Sequence, residues 1–211
     1  METITLTQGN HTDILGRLDV LIRAGRVAVV PTDTVYGLVC DARNEQAVQK
    51  MFAVKKRPDE KAFPIFVKDI AMARRYGSIS DAKARFLERV WPGALTAVFH
   101  HKEKLPAVLT GGGDTIGMRM PDHAFLLELL ARLELPLAQT SANISGMPPA
   151  KTAAEVAAYS ENSPDQPDLI IDGGTAPGIS SAVIDCTGVS PLILRSGIVS
   201  KADIDRMFGG L

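Results

Sequence analysis

The chain has 211 residues, 45% hydrophobic and 22% charged, which excludes wholesale disorder, a collagen-like chain and a coiled coil. With 23 Lys and Arg against 24 Asp and Glu, a net charge of −1 excludes a general coater of nucleic acid. No apolar run reaches the roughly 18–20 residues of a membrane span, the segment METITLTQGNHTD lacks a signal peptide's basic and apolar regions, and two cysteines make no disulfide framework, so a reducing cytoplasm is the expected location.

In chain order, Ile14, Leu18, Leu21 and Ile22 fall on one face of a helix over 12–24, and Gly25 suits the left-handed residue that ends it. RVAVVP, 26–31, reads as a buried strand stopped by Pro31. Asn44 caps a second helix with Val48, Met51 and Phe52 inward. A basic stretch follows: residues 51–75 hold seven basic side chains against three acidic, whereas 121–172 hold two against eight. That asymmetry suggests an anionic ligand on one side of the molecule. Phe63–Val67 is a short apolar run. Ser80 caps a third helix with Ala84, Leu87, Val90 and Trp91 inward, ended by Pro92-Gly93. ALTAVF, 94–99, and TIGMRM, 115–120, read as strands. In the second, Ile116, Met118 and Met120 share one face, so Arg119 points the other way. Asp122 opens an apolar helix to about Glu134, and a shorter helix covers Thr152–Tyr159. Leu137–Thr140, Leu169–Asp172, Ser181–Cys186 and Leu192–Arg195 are further strands, and a terminal helix starts at Ser200, with Asp203 completing a capping-box-like pair. No repeat or domain boundary interrupts the alternation, which indicates one layered α/β domain over 1–211. Strand pairing is not legible at this level.

Familiar site patterns are absent. There is no GxxxxGK[ST] loop, no GxGxxG spacing, no GxSxG elbow, and no metal-ligand spacing among four histidines and two cysteines. What remains is four polar segments at element ends: PTDTVYGL (31–38), KKRPDEK (55–61), QTSANISG (139–146), and the pair SSAVID (180–185) with LILRSG (192–197). Ligands of open α/β sheets bind at strand ends. Singly, each segment is an ordinary turn or cap. Together they supply hydroxyls, an amide and fixed positive charges, a set suited to a small polar ligand joined to a phosphate. Lys55 and Arg57 lie in a stretch with little apolar content, and neither reads as core.

These segments, in this order, resemble the YrdC/TsaC family, the threonylcarbamoyl-AMP synthases. PTDTVYGL, Lys55-x-Arg57-Pro58 with Lys61, TIGMRMP, SANISG, Ser181-x-Val183-Ile184-Asp185 and Leu194-Arg195-x-Gly197 are family landmarks spanning 31–197. The resemblance implies a twisted, open mixed sheet with flanking helices and a positively charged concave cavity. It implies a nucleotidyltransferase that makes threonylcarbamoyl-AMP and pyrophosphate from L-threonine, bicarbonate or CO2, and ATP. The product would serve the threonylcarbamoyladenosine modification of tRNA, through downstream threonylcarbamoyl-transfer proteins and with at most a weak RNA contact.

By resemblance, Thr34, Arg119, Ser141 and Ser181 bind threonine. Lys55, Arg57, Lys61, Asn143, Lys151 and Arg195 bind ATP. Ser141 and Asn143, two residues apart on an extended segment, would face the same way and join the two sites. No protein-held metal is implied; Mg²⁺ would ride on the phosphates. The chain departs from the family pattern at Val39-Cys40, where glycine is common, at Phe66, which is histidine in some members and leaves one threonine contact without its partner, at Ala182 for threonine and at Ser196 for proline. It also looks like the short, single-domain form. Two other readings stand beside this one: an RNA-binding module, whose affinity would fall steeply with salt and ignore threonine, and a sister-branch carbamoyl-transfer enzyme, against which the intact KxR and SAN argue.

Overall fold

The computed structural model describes residues 1–57, 61–161, 163–199 and 203. The chain runs β1 (Glu2–Thr5), α1 (His11–Arg23), β2 (Ala28–Val30), β3 (Gly37–Asp41), α2 (Glu45–Lys55) and β4 (Ile65–Phe66). It continues through α3 (Ile70–Tyr76), α4 (Asp81–Val90), β5 (Leu95–His100), α5 (Ala107–Thr110), β6 (Thr115–Arg119) and α6 (Ala124–Leu133). It ends with β7 (Leu137–Ser141), α7 (Ala153–Ser160), β8 (Leu169–Asp172), β9 (Ala182–Asp185) and β10 (Leu192–Arg195). The strands form a single mixed sheet in the order β1-β8-β2-β3-β7-β4-β6-β5-β9-β10. The expected helix from Ser200 lies outside the described residues.

Capping explains several helix starts. The Asn44, Asp69, Ser80 and Thr152 side chains each accept a backbone N–H from the first turn of α2, α3, α4 and α7. The α6 helix begins one residue later than the sequence suggests. His123, not Asp122, is its N-cap, without a side-chain cap bond, and burial of Phe125, Leu126, Leu129, Leu130 and Leu133 sets its position instead. Each such side chain contributes about 1.5–3 kcal/mol.

Period-2 alternation divides the sheet into two faces. On one, Leu38, Cys40, Ile65, Ala97, Phe99, Ile116, Met118, Ala138, Ala182 and Ile184 join the buried sides of α2, α3, α4, α5 and α7 in the larger core. On the other, Ala28, Val30, Val39, Phe66, Leu137, Leu169 and Ile171 pack beneath α1 and α6. These two helices cover only part of that face. Beyond it, the same face of the sheet carries Gln139, Ser141, Arg119, Gly117, Thr115, Thr96, Val98, Ser181 and Val183, which line a cavity. Both cysteines are buried and free, and burial pushes both thiols up, Cys186 to about 12. They are packing residues, not nucleophiles.

Candidate functional site

The cavity has a volume of about 450 Å³, within the usual range of a small-molecule site. Its rim is the loop after β2. Thr32 Oγ1 accepts from the Thr34 backbone N–H at 3.0 Å and donates to the Val35 carbonyl at 2.6 Å, so a buried threonine folds the loop locally. The Gly178 N–H donates to the Thr34 carbonyl at 2.7 Å, and the Ala176 N–H donates to the Lys151 carbonyl at 2.8 Å. Tyr36 donates its hydroxyl to the Gly174 carbonyl at 2.6 Å. Three chain segments are thus tied together beside Thr34. Gly178, at φ +87°, is required by its left-handed conformation, and the exposed Lys151 side chain crosses over it.

Arg119 lies at the end of β6 and is 3% exposed. It donates from Nε to the Gly93 carbonyl (2.9 Å), from one terminal nitrogen to Thr34 Oγ1 (3.1 Å), and from the other to Asp33 Oδ1 (2.5 Å). Burial holds its pKa below the ordinary arginine value, and Asp33 works against that shift. One N–H on each terminal nitrogen is left over, a fork suited to an anion. Phe66 lies beneath it, with Arg119 Cζ 5.8 Å from the ring centroid. The phenyl ring belongs to the apolar layer under α1 and α6 and does not line the cavity.

Lys55 overturns the expectation that it stands outside the core. It is the last residue of α2 and is 3% exposed. Its Nζ donates to the Ser141 carbonyl (2.5 Å), Ser141 Oγ (3.1 Å) and Asn143 Oδ1 (2.5 Å), three acceptors for the three donors of an ammonium. Burial, and secondarily the charge of Arg57, lower its pKa to about 7. Ser141 and Asn143 do meet, but not along an extended strand. β7 ends at Ser141, the Asn143 N–H turns back to the Ser141 carbonyl at 3.0 Å, and Ser141 Oγ donates to Asn143 Oδ1 at 2.6 Å. Asn143 spends its amide hydrogens on the Ile144 and Met147 carbonyls. Lys55 and Asn143 therefore stand behind the cavity and brace Ser141, which lines it.

Arg57 donates to the Lys61 and Ala62 carbonyls at 3.0 and 2.9 Å, and its Cζ lies 4.9 Å from the centroid of the Phe63 ring. Arg195 donates to the Ser181 carbonyl at 2.9 Å. A register shift between Ile193 and Arg195 kinks β10, and both Leu194 and Arg195 line the cavity. Gly197 passes over the start of β9: an added Cβ would lie 2.5 Å from the Ser180 carbonyl oxygen and closer still to Ala182 N. Among the described residues, the ion pairs involve neither Arg57 nor Arg195. Burial lowers the pKa of both.

Of the expected site residues, Thr34, Arg57, Arg119, Ser141, Ser181 and Arg195 line this one cavity. Lys55 and Asn143 support it, Lys61 is exposed and touches it through the bond from Arg57 to its carbonyl, and the exposed Lys151 stands at the rim. Asp33, Thr96, Gly117 and Gln139 were not anticipated. Asp33 lay inside a quoted motif, next to Thr34. Thr96 carried only its place in an otherwise apolar strand, a signal that burial alone also explains.

The Sua5/YciO/YrdC family model, described as "Telomere recombination", matches residues 20–197. The chain belongs to this family. It is 39% identical over 190 residues to a Pyrococcus abyssi protein named threonylcarbamoyl-AMP synthase, covering 89% of this chain and 55% of that one. A Bacillus subtilis protein of the same name is 37% identical over 198 residues, covering 90% and 55%. A structure of Pyrococcus abyssi Sua5 complexed with L-threonine superposes with a TM-score of 0.90 at 34% identity, covering 99% of this chain and 60% of that one. This Sua5/YciO/YrdC chain thus spans about half the length of these curated relatives.

Proposed function

We propose that this chain makes threonylcarbamoyl-AMP from L-threonine, bicarbonate or CO2, and ATP, releasing pyrophosphate. The observation that carries the reading is convergence: residues from all four polar segments, Thr34, Arg57, Ser141, Ser181 and Arg195, meet with Arg119 around one cavity. Relatives carrying the synthase name, and the threonine held by P. abyssi Sua5, support it.

Threonine's amine nitrogen attacks the carbon of CO2, forming an N–C bond and losing a proton. Starting from bicarbonate, water departs in the same net step. A carbamate oxygen then attacks the α-phosphorus of ATP, and the bond to the bridging oxygen breaks as pyrophosphate leaves. No enzyme nucleophile is needed. Arg119 presents its two remaining N–H groups to the amino-acid carboxylate, with Thr34, Ser141 and Ser181 around it. Arg57 and Arg195 neutralise phosphate charge, where fixed donors act at no reorganisation cost. Lys55, Asn143, Lys61 and Lys151 serve the nucleotide from behind and from the rim. Mg²⁺ enters on the phosphates. Among the described residues no group of three His, Cys, Asp or Glu side chains could hold an ion.

We infer that the reaction runs in the cytoplasm, ahead of proteins that pass the threonylcarbamoyl group to tRNA. No helix among the described residues is long and apolar enough to cross a membrane. The lining arginines converge with hydroxyls on one concave cavity rather than spreading over a broad surface, which favours a small-molecule enzyme over an RNA binder. Incubation with ATP, threonine and bicarbonate, assayed for pyrophosphate and for the adenylate by mass, tests the reading. Release should require both threonine and bicarbonate. Release indifferent to either, or none, would overturn it.

A further inference from the structure

One end of the cavity holds a constellation that includes Thr96, a residue to which nothing above assigns a ligand. Ala97 pairs with Met118 in the β5–β6 register, so Thr96 stands alongside Arg119. On the other side of β5, Thr96 pairs with Val183, and Val183 pairs with Arg195. One row across the sheet therefore reads Arg119, Thr96, Val183, Arg195, with a guanidinium at each end and only a hydroxyl and an apolar side chain between. Thr96 is 4% exposed and Ser181 is 7% exposed, and their hydroxyl oxygens are 3.1 Å apart. Arg195 approaches the same Ser181, at 2.9 Å from its carbonyl and 3.4 Å from its Oγ.

Of two hydroxyls sharing one hydrogen bond, one proton is spent and the other is free to donate. With the two leftover Arg119 N–H groups given to the amino-acid carboxylate, the free donors between the arginines are thus that O–H and the remaining guanidinium N–H groups of Arg195. Among the described residues, no carboxylate lines the cavity. Gly117 leaves the approach open: a Cβ there would lie 3.3 Å from Thr96 Cγ2 and 3.1 Å from Pro64 Cβ. A strand-interior glycine commonly marks close approach of a ligand. Burial holds the Arg119 pKa down, and the charge of Arg195 adds to that effect. An anion between the two cations relieves both.

We infer that Thr96 and Ser181, between Arg119 and Arg195, form the seat of the one-carbon carboxylate of the reaction, held as bicarbonate or as the carbamate of threonine. This rests on the proposed synthase reading. Under that reading Arg119 takes the amino-acid carboxylate and Arg195 faces the nucleotide, so the unit that must join them lies between. The seat offers donors to the carboxylate oxygens of either anion and lies between both neighbours. Thr96 is then a substrate-contacting residue for the one-carbon unit alone.

The test is steady-state pyrophosphate release by the full chain with Thr96→Val, which keeps the side-chain shape and deletes the hydroxyl. KM for bicarbonate should rise about 10- to 100-fold, the usual worth of a hydrogen bond to a charged group. KM for ATP should stay within about two-fold, and Thr96→Ser should restore the bicarbonate KM; KM for threonine stays within about two-fold where bicarbonate is captured directly and rises with that for bicarbonate where preformed carbamate is the substrate. Should Thr96→Val fail to fold, Thr96→Ala against Thr96→Ser supplies the same comparison. Freshly mixed and pre-equilibrated threonine–bicarbonate solutions separate the sources: a lag seen only on fresh mixing identifies carbamate formed in solution, and its absence identifies bicarbonate captured directly. A bicarbonate KM unchanged by the variant, or three KM values raised together, overturns the seat while leaving the synthase reading in place. A wild-type chain that releases no pyrophosphate overturns the synthase reading, and the seat with it.

Discussion

Replacing Asp33 with Asn tests what holds Arg119 in place. The side chains of Arg119 and Asp33 are 3% and 13% exposed, and they touch at 2.5 Å. Asn is close in shape and keeps an acceptor, so the variant removes charge alone. Breaking a buried pair by removing one partner costs about 3–5 kcal/mol, because the other charge stays buried without compensation. Arg119 would keep its bonds to the Gly93 carbonyl and Thr34 Oγ1, which places the cost at the lower end, about 3 kcal/mol. For a chain of this size, that lowers Tm by about 6–12 °C. Urea unfolding and calorimetry read the effect directly. A double-mutant cycle gives it a cause: in an Arg119→Met background the guanidinium is gone, and Asp33→Asn should cost less than about 1 kcal/mol. Equal cost in both backgrounds, or a single variant within about 1 kcal/mol of the wild type, would refute the argument.

Lys55 makes stability pH-dependent. Its folded pKa of about 7 lies below the ordinary 10.5, so above pH 7 the unfolded chain binds more protons, and this residue's contribution to stability rises with pH. Between pH 7 and 9 the wild type should gain about 1–3 kcal/mol over Lys55→Met by urea unfolding, and a gap that narrows would show the sign to be wrong. Arg57→Ala should lower pyrophosphate release about 10²–10³-fold, while loss of its bonds to the Lys61 and Ala62 carbonyls costs about 1–3 kcal/mol in unfolding and leaves the chain folded; near-normal turnover would return Arg57 to an ordinary structural role. Gly197→Ala should cost about 1–3 kcal/mol through collision with Ser180 and Ala182. Gly188→Ala, whose backbone like that of Gly197 is not left-handed and whose added atom would meet nothing nearer than 3.7 Å, supplies the comparison, and equal effects would remove the collision argument.

The long amphipathic helices were legible because their apolar spacing is set by the residues they bury. The helix expected over 12–24 is α1 within one residue at each end, and Asn44 and Ser80 cap α2 and α4 as their side chains predict. Several elements were not read, among them β1, β3, α3 and the one-turn α5. β3, Gly37–Asp41, follows a motif whose polar residues masked it, and all five of its residues are buried, so no alternation marks it. β1, Glu2–Thr5, is a mostly exposed edge strand, held by its parallel pairing with β8. The helix α3, Ile70–Tyr76, spans too few residues for a 3.6-residue period to show.

Local order was enough to mark the four polar segments, because hydroxyls and fixed charges clustered at element ends carry their meaning in the sequence itself. It was also enough to turn Arg119 away from the core, since Ile116 and Met118 on the same strand must face it. What only the tertiary structure decided is how those segments share one space. Sheet order places β6, β5 and β9 side by side although they come from distant parts of the chain. Helices α1 and α6 cover one part of a sheet face and leave the rest open. The burial of Lys55, the pairing of Asp33 with Arg119, and the setting of Thr96 beside Ser181 follow from that packing. Each is a contact between side chains brought together by long-range pairing, and the free energy that selects them comes from core burial elsewhere, so no local pattern encodes them.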